Sequence, residues 1–170
     1  MIWALAIIAG LVGLIFLVAI VGFLLPKGHV ATSRLQLKQP PEAVWKLISN
    51  PDALTSWRKD LKKVERLNDT VLTTWRETGS LGVMTLEVVE SILNRRIATR
   101  IADTNLPFGG TWTWILDARE GGCTVSITES GEVYNPFFRF MSRFVLGHHG
   151  AMRAILRDLA AHFGESSTPT

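Results

Sequence analysis

The opening of the chain restricts its fold more than anything that follows. From Met1 to Pro26 there is no charged side chain, and Ile2 to Leu25 is apolar apart from Gly10, Gly13 and Gly22. Wound as a helix, that run reaches about 36 Å, against a hydrocarbon core of about 30 Å. A helix that is apolar on every face has no side to offer water, so residues 1–26 are expected to form an uncleaved anchor in lipid. A cleaved secretory signal fits worse. No Lys or Arg precedes the run, the run is too long, and His29-Val30-Ala31 is a poor cleavage site. The glycines lack G-x-x-x-G spacing, so helix pairing is not indicated. Lys27, Arg34, Lys38 and Lys46 follow the run, while only the α-amino group precedes it. The positive-inside rule then predicts a single-pass protein with its soluble part in the cytoplasm. The single cysteine, Cys123, allows no intramolecular disulfide and so calls for no oxidising compartment.

All 18 basic and 15 acidic residues fall after Pro26, for a net charge of +3. That balance suits a protein beside an anionic leaflet and is too diffuse for nucleic acid. The densest basic run, Arg58, Lys59, Lys62 and Lys63, reads as a solvated turn and strand edge or as a patch on lipid headgroups. Residues 27–29 are a short linker, 30–164 a single domain, and 165–170 a frayed tail.

His29 to Lys38 alternates in period two and predicts a strand, stopped by Pro40-Pro41. Pro41 and Glu42 then favour a helix start, with Ala43, Val44, Leu47 and Ile48 as its apolar face. Asn50-Pro51-Asp52 breaks that helix, and Ala53–Trp57 forms a short turn. Six further strands are predicted at Leu61–Leu67, Val71–Glu77, Val83–Ser91, Arg95–Asp103, Thr111–Ala118 and Thr124–Val133. Turn signals such as Asn68-Asp69, Gly79-Ser80, Leu93-Asn94 and Gly121-Gly122 separate them. Short connections make the sheet an antiparallel meander. Asn135-Pro136 then opens a helical pattern that runs to Phe163, with Gly147 and Gly150 able to bend or split it.

This order, with Pro40-Pro41-Glu42-Ala43-Val44-Trp45 after the first strand, Trp57 at the start of the meander, and the late segments Leu106–Trp114 and Ile127–Val133, resembles the SRPBCC superfamily. That group contains START-like lipid-binding and polyketide cyclase/dehydrase-like domains, and the resemblance covers roughly residues 30–164. It implies an α+β helix-grip fold, in which a curved antiparallel seven-stranded sheet wraps a long C-terminal helix and leaves an apolar cavity between them. Its members include binders, carriers and enzymes, so activity is not implied with the fold.

Alternation selects the side chains that face such a cavity. They are Trp112, Trp114 and Leu116 on one strand, Met84, Leu86 and Val88 on another, Ile97, Thr99 and Ile101, and Val125, Ile127 and Glu129. Trp75, and Phe140, Met141 and Phe144 on the helix, complete the lining. Of six tryptophans only Trp3 lies in the apolar run; the rest serve either as ordinary core or as faces for an amphipathic ligand. Glu129 falls on the apolar side of its strand, where an unpaired carboxylate is costly. Its expected role is a structural ion pair, with Arg139 or Arg143 opposite Glu129 or Glu132. Ligand orientation and general acid or base catalysis stand behind that reading, the last requiring a second titratable group such as Glu77 or Asp103. His148-His149 matches no metal spacing and reads as a solvated or helix-packing pair. No metal, cofactor, phosphate loop or dinucleotide fingerprint is indicated. Phe137 to Leu146 is apolar over more than one face, so part of it is expected to dip into the bilayer.

The leading expectation is membrane-anchored binding or transport of a hydrophobic or amphipathic small molecule, such as a lipid, quinone or isoprenoid. The alternatives are a cyclase or dehydratase using the same cavity, and a tethered adaptor with a filled core and no ligand.

Overall fold

The computed structural model of the protein describes residues 2–68 and 73–170. Helix α1 runs from Ile2 to Leu24. Over Trp3–Leu24 its mean hydropathy is 3.1 and none of its most apolar stretch is buried in protein. By length and composition it can cross a membrane. Strand β1 (Gly28–Leu37) follows after three residues, then α2 (Pro41–Ile48) and a 3-10 turn (Pro51–Ser56). Strands β2 (Leu61–Asn68), β3 (Thr74–Gly79), β4 (Gly82–Ile92), β5 (Arg96–Ile101), β6 (Phe108–Arg119) and β7 (Gly122–Val133) form the meander. Val71 and Leu72 of the expected third strand, and Asp69 of the expected turn before it, lie outside the described residues.

The seven strands make one antiparallel sheet in the order β1-β7-β6-β5-β4-β3-β2. The last strand returns to pair with the first, as a helix-grip fold requires. Asn94 takes φ 57°, the left-handed conformation an asparagine tolerates, in the β4–β5 turn. One face of the sheet carries Leu35, Leu37, Cys123, Val125, Ile127, Leu116, Trp114 and Ile97, all buried. Helix α4 (Gly150–His162) closes that face with Met152, Ile155, Leu156 and Leu159.

The helical pattern after Asn135 does not form one long helix. It divides into α3 (Pro136–Met141), a π turn (Ser142–Leu146) and α4. The break is at Gly147, whose φ of 70° ends the π turn in a left-handed residue. Asn135 caps α3 as expected, its Oδ1 accepting from the Phe137 and Phe138 amides.

The first two pieces serve a different partner from the third. Helix α3 packs on the end of α1, where Val18, Val21, Gly22 and Leu25 lose exposure. A Cβ on Gly22 would lie 2.0 Å from the Pro136 carbonyl oxygen, so only glycine allows this approach. Arg139, 7% exposed, donates from Nη1 to the carbonyls of Gly22, Phe23 and Leu25 and from Nη2 to that of Tyr134. A cation on the carbonyls that end a helix both satisfies orphan acceptors and complements its dipole.

The tail is not frayed as expected. Glu165 accepts from the Lys38 amide, Pro169 is buried, and Thr170 exchanges both backbone hydrogen bonds with Arg34 on the outer edge of β1. Open strand edges invite pairing, and here the chain's own tail answers it.

Candidate functional site

Register defines what the concave face can hold. Glu129 stands between Ala31 on β1 and Trp112 on β6, Trp112 faces Thr99 on β5, and Thr99 faces Val88 on β4. Leu86 lies between Trp75 and Ile101, and Met84 faces Glu77. The residues selected by alternation therefore share one face, but they split into two groups. Trp75, Trp114 and Ile127 are buried in the core under α4, where Trp57 meets Trp114 edge-on at 6.4 Å. Met84, Leu86, Thr99, Trp112 and Glu129 remain half-exposed on the rest of the face. Phe140 and Met141 are outside the buried core cluster, on the helix that packs against α1, and Phe144 is on the π turn that follows it. Phe144 is exposed, its ring 5.0 Å from that of Phe140.

The space expected between sheet and helix is filled where α4 lies, since Met152, Leu156 and Leu159 are fully buried against the sheet. A small cavity of about 30 Å³ opens instead at the α1 end, lined by Pro26, Lys27, His29, Arg139, Arg143 and His148. It has room for one or two waters. A wider groove of about 320 Å³ lies at the far end of α4, between Trp57, Lys59 and His162.

The expected ion pairs of Glu129 and Glu132 with Arg139 and Arg143 do not form among the described residues. Arg139 is spent on the α1 carbonyls, and Glu132 accepts from the Tyr134 hydroxyl. Glu129 has histidines around it instead. His29 Nε2 is 3.6 Å from Glu129 Oε1, and the His148 ring stacks on His29 at 3.8 Å and 21°. His149, still largely exposed, brings Nδ1 to 3.3 Å from Ser33 Oγ. Hence His148 is not the solvated or helix-packing residue expected, while His149 stays exposed as it reaches Ser33 on the sheet. Gly131 makes the arrangement possible, because a Cβ there would lie 2.4 Å from His29 Cε1. The sequence signal for this cluster was slight. His29 is isolated in its strand, and only the glycines flanking His148-His149 hinted at a departure from helix.

Burial shapes the titration of all three groups. It pushes the Glu129 carboxyl up, opposed by the Trp112 indole as donor and by the charges of His148 and His149. It pushes His29 down, and it pushes His148 down with help from the His29 charge. His29 Nε2 is buried without a hydrogen-bond partner. The other candidate carboxylates are committed elsewhere. Glu77, 2% exposed, takes Arg58 Nη1 at 3.1 Å and the Trp75 indole at 3.0 Å, and Asp103 accepts from the Thr85 amide.

These shifts carry a stability prediction. A histidine whose folded value lies below its unfolded one contributes stability that is complete above about pH 6.5 and is lost as pH falls below it. A carboxyl raised on folding acts the other way, its cost being relieved as pH falls through its raised value. The protein in detergent is expected to lose thermal stability as pH falls below about 6.5 through the histidines' lowered values, with relief of Glu129 opposing that loss. The double variant His29→Gln, His148→Gln should flatten the loss. Melting curves of both proteins recorded above and below that pH check it.

Comparison with known proteins agrees with this architecture. A family model described as polyketide cyclase / dehydrase and lipid transport matches residues 28–164. Among solved structures, a protein from Thermobifida fusca superposes with a TM-score of 0.63 at 18% identity, covering 79% of this chain and 93% of its own. A protein from Thermus thermophilus gives 0.62 at 17% identity, covering 79% and 99%. The di-domain aromatase/cyclase StfQ of steffimycin biosynthesis gives 0.62 at 11% identity, covering 81% of this chain and 52% of that one, about half of a two-domain protein. At such identities the likeness is one of fold. No curated protein matches.

Proposed function

Because the chain belongs to the polyketide cyclase / dehydrase and lipid transport family, we propose that it is a membrane-anchored binder or carrier of an amphipathic small molecule of lipid, quinone or isoprenoid type. The ligand's apolar body lies on the half-exposed part of the concave face, against Leu86, Thr99 and Trp112. Its polar end reaches Glu129 and His29. The observation that carries this reading is the row Thr99–Trp112–Glu129, left half-exposed beside a filled core. Covering apolar surface there supplies about 25 cal/mol per Å² of driving force, and the carboxylate and imidazole set orientation. Helix α1 crosses the bilayer, and the short linker of Leu25, Pro26 and Lys27 holds the domain at its cytoplasmic surface.

The test is native mass spectrometry of the full chain, purified from its native membranes in mild detergent. A co-purifying lipid-like molecule is expected with the wild type and absent from Trp112→Ala, whose melting point should fall less than that of Trp114→Ala because Trp112 lies at the edge of the core. Empty protein in both preparations would sink the proposal.

A second reading, an enzyme of the cyclase or dehydratase kind, is favoured by one observation. Glu129 has the titratable neighbours that acid–base work needs. In that case Glu129→Gln should retain its ligand but leave it unconverted, so the molecules recovered from variant and wild type would differ in mass. A carrier would yield the same molecule from both.

A further inference from the structure

Helix α3 is too short and too apolar outside to be a mere connection. We infer that the segment from Pro136 to Val145 is itself inserted in the phospholipid bilayer beside α1, among the acyl carbons nearest the headgroups. The inference rests on the reading that α1 spans the membrane. Given that, depth follows from packing. Helix α3 lies against α1 from Val18 to Leu25, with Pro136 touching Gly22. Seven residues of helix cover about 10 Å, so whatever rests on them lies within the last 10 Å or so of the span.

The segment's surface suits that depth. Phe137, Phe138, Phe144 and Val145 are 51%, 48%, 60% and 61% exposed, and Phe23 and Leu24 of α1 are exposed beside them. A contiguous apolar patch of that kind marks a binding surface. Its continuity with α1 identifies the occupant as the bilayer that α1 enters.

Most of the groups that would oppose insertion are satisfied, the Arg139 Nε, buried without a partner, being the exception. Arg139, the one charge on α3, has its guanidinium on four backbone carbonyls. The Phe137 and Phe138 amides are capped by Asn135, the Arg139 amide bonds to the Asn135 carbonyl, and Pro136 has no N–H to satisfy. Backbone that enters lipid must be paired within the protein, and the entering turn is. Only Arg143 stays exposed, and its long stem can carry its charge out to the headgroups.

The experiment uses the full chain, with Cys123→Ala, reconstituted in vesicles of phosphatidylcholine and phosphatidylglycerol. Single cysteines at Phe138→Cys, Phe144→Cys, Val12→Cys and Leu81→Cys carry an environment-sensitive fluorophore. Lipids spin-labelled near the headgroup or near the methyl end of the acyl chain serve as quenchers. The probes at 138 and 144 should shift to the blue and be quenched more by the shallow label. Val12, in the middle of α1, should be quenched more by the deep label, and Leu81 by neither. Quenching at 12 with water-like, unquenched probes at 138 and 144 would overturn the insertion while leaving the anchor intact. Blue-shifted probes at 138 and 144 that no lipid quenches would overturn it in favour of a protein covering the face. No quenching at 12 would overturn the anchor and the insertion together. None of these outcomes touches ligand binding, which the mass spectra read separately.

Discussion

Arg58→Met is expected to destabilise the domain by about 3–5 kcal/mol, the usual cost of removing one partner from a buried ion pair. Arg58 grips Asp60 through Nε and Nη2 at 3.1 and 2.7 Å, and reaches Glu77 through Nη1 at 3.1 Å. Asp60 is partly open to water and can be resolvated. Glu77 is 2% exposed, and among the described residues its charge without Arg58 keeps only the Trp75 indole N–H. For a chain of this size the loss corresponds to a fall in melting point of roughly 6–20 °C. Thermal unfolding followed by near-ultraviolet circular dichroism measures it. Adding Glu77→Gln removes the stranded charge and should recover much of the loss. A double variant no more stable than Arg58→Met would show that packing of the arginine stem, not charge, sets the cost.

The second large effect separates two tryptophans that sit two residues apart on one strand. Trp114→Ala should cost about 3–5 kcal/mol, because it empties a core site. Trp114 is 8% exposed, faces Ile97 and Ile127 across the ladder, and meets Trp57 edge-on. Trp112→Ala, on the same face but half-exposed, should cost far less. Equal losses in paired melting curves would mean that Trp112 is core as well, and the ligand surface would have to be sought elsewhere.

That contrast shows what the sequence could convey. Strands were legible because period-two alternation and turn residues are local. The concave face was legible because alternation fixes facing once register holds, as the pairings of Trp112 with Glu129 and Trp114 with Ile127 show. Depth along the strand was not legible. Trp112 and Trp114 have the same phase, and only the place where α4 stops distinguishes them. In the helical pattern after Asn135 only Gly147 and Gly150 signal the split, for a related reason. Its apolar spacing continues through the break, since exposed phenylalanines and leucines that face a core follow the same period. The sequence offers Arg139 a carboxylate because ion pairs are the partners a sequence displays. Its actual partners are main-chain carbonyls, which any residue carries. The histidine cluster draws on β1, β7 and the Gly147 break, and no local spacing encodes three elements at once.

The clasp of Arg139 on the end of α1 also sets an order of events during synthesis. The arginine lies 114 to 117 residues beyond the carbonyls of Leu25 and Gly22 that it holds. At typical translation rates, roughly 6–23 s pass between the two leaving the ribosome. Throughout that interval α1 ends in acceptors that Arg139 has not yet reached. Helix α1 is therefore made well before the segment that completes its end. A chain stalled or cleaved before Asn135 would carry an unfinished helix end, a feature that distinguishes an incomplete copy from a mature one.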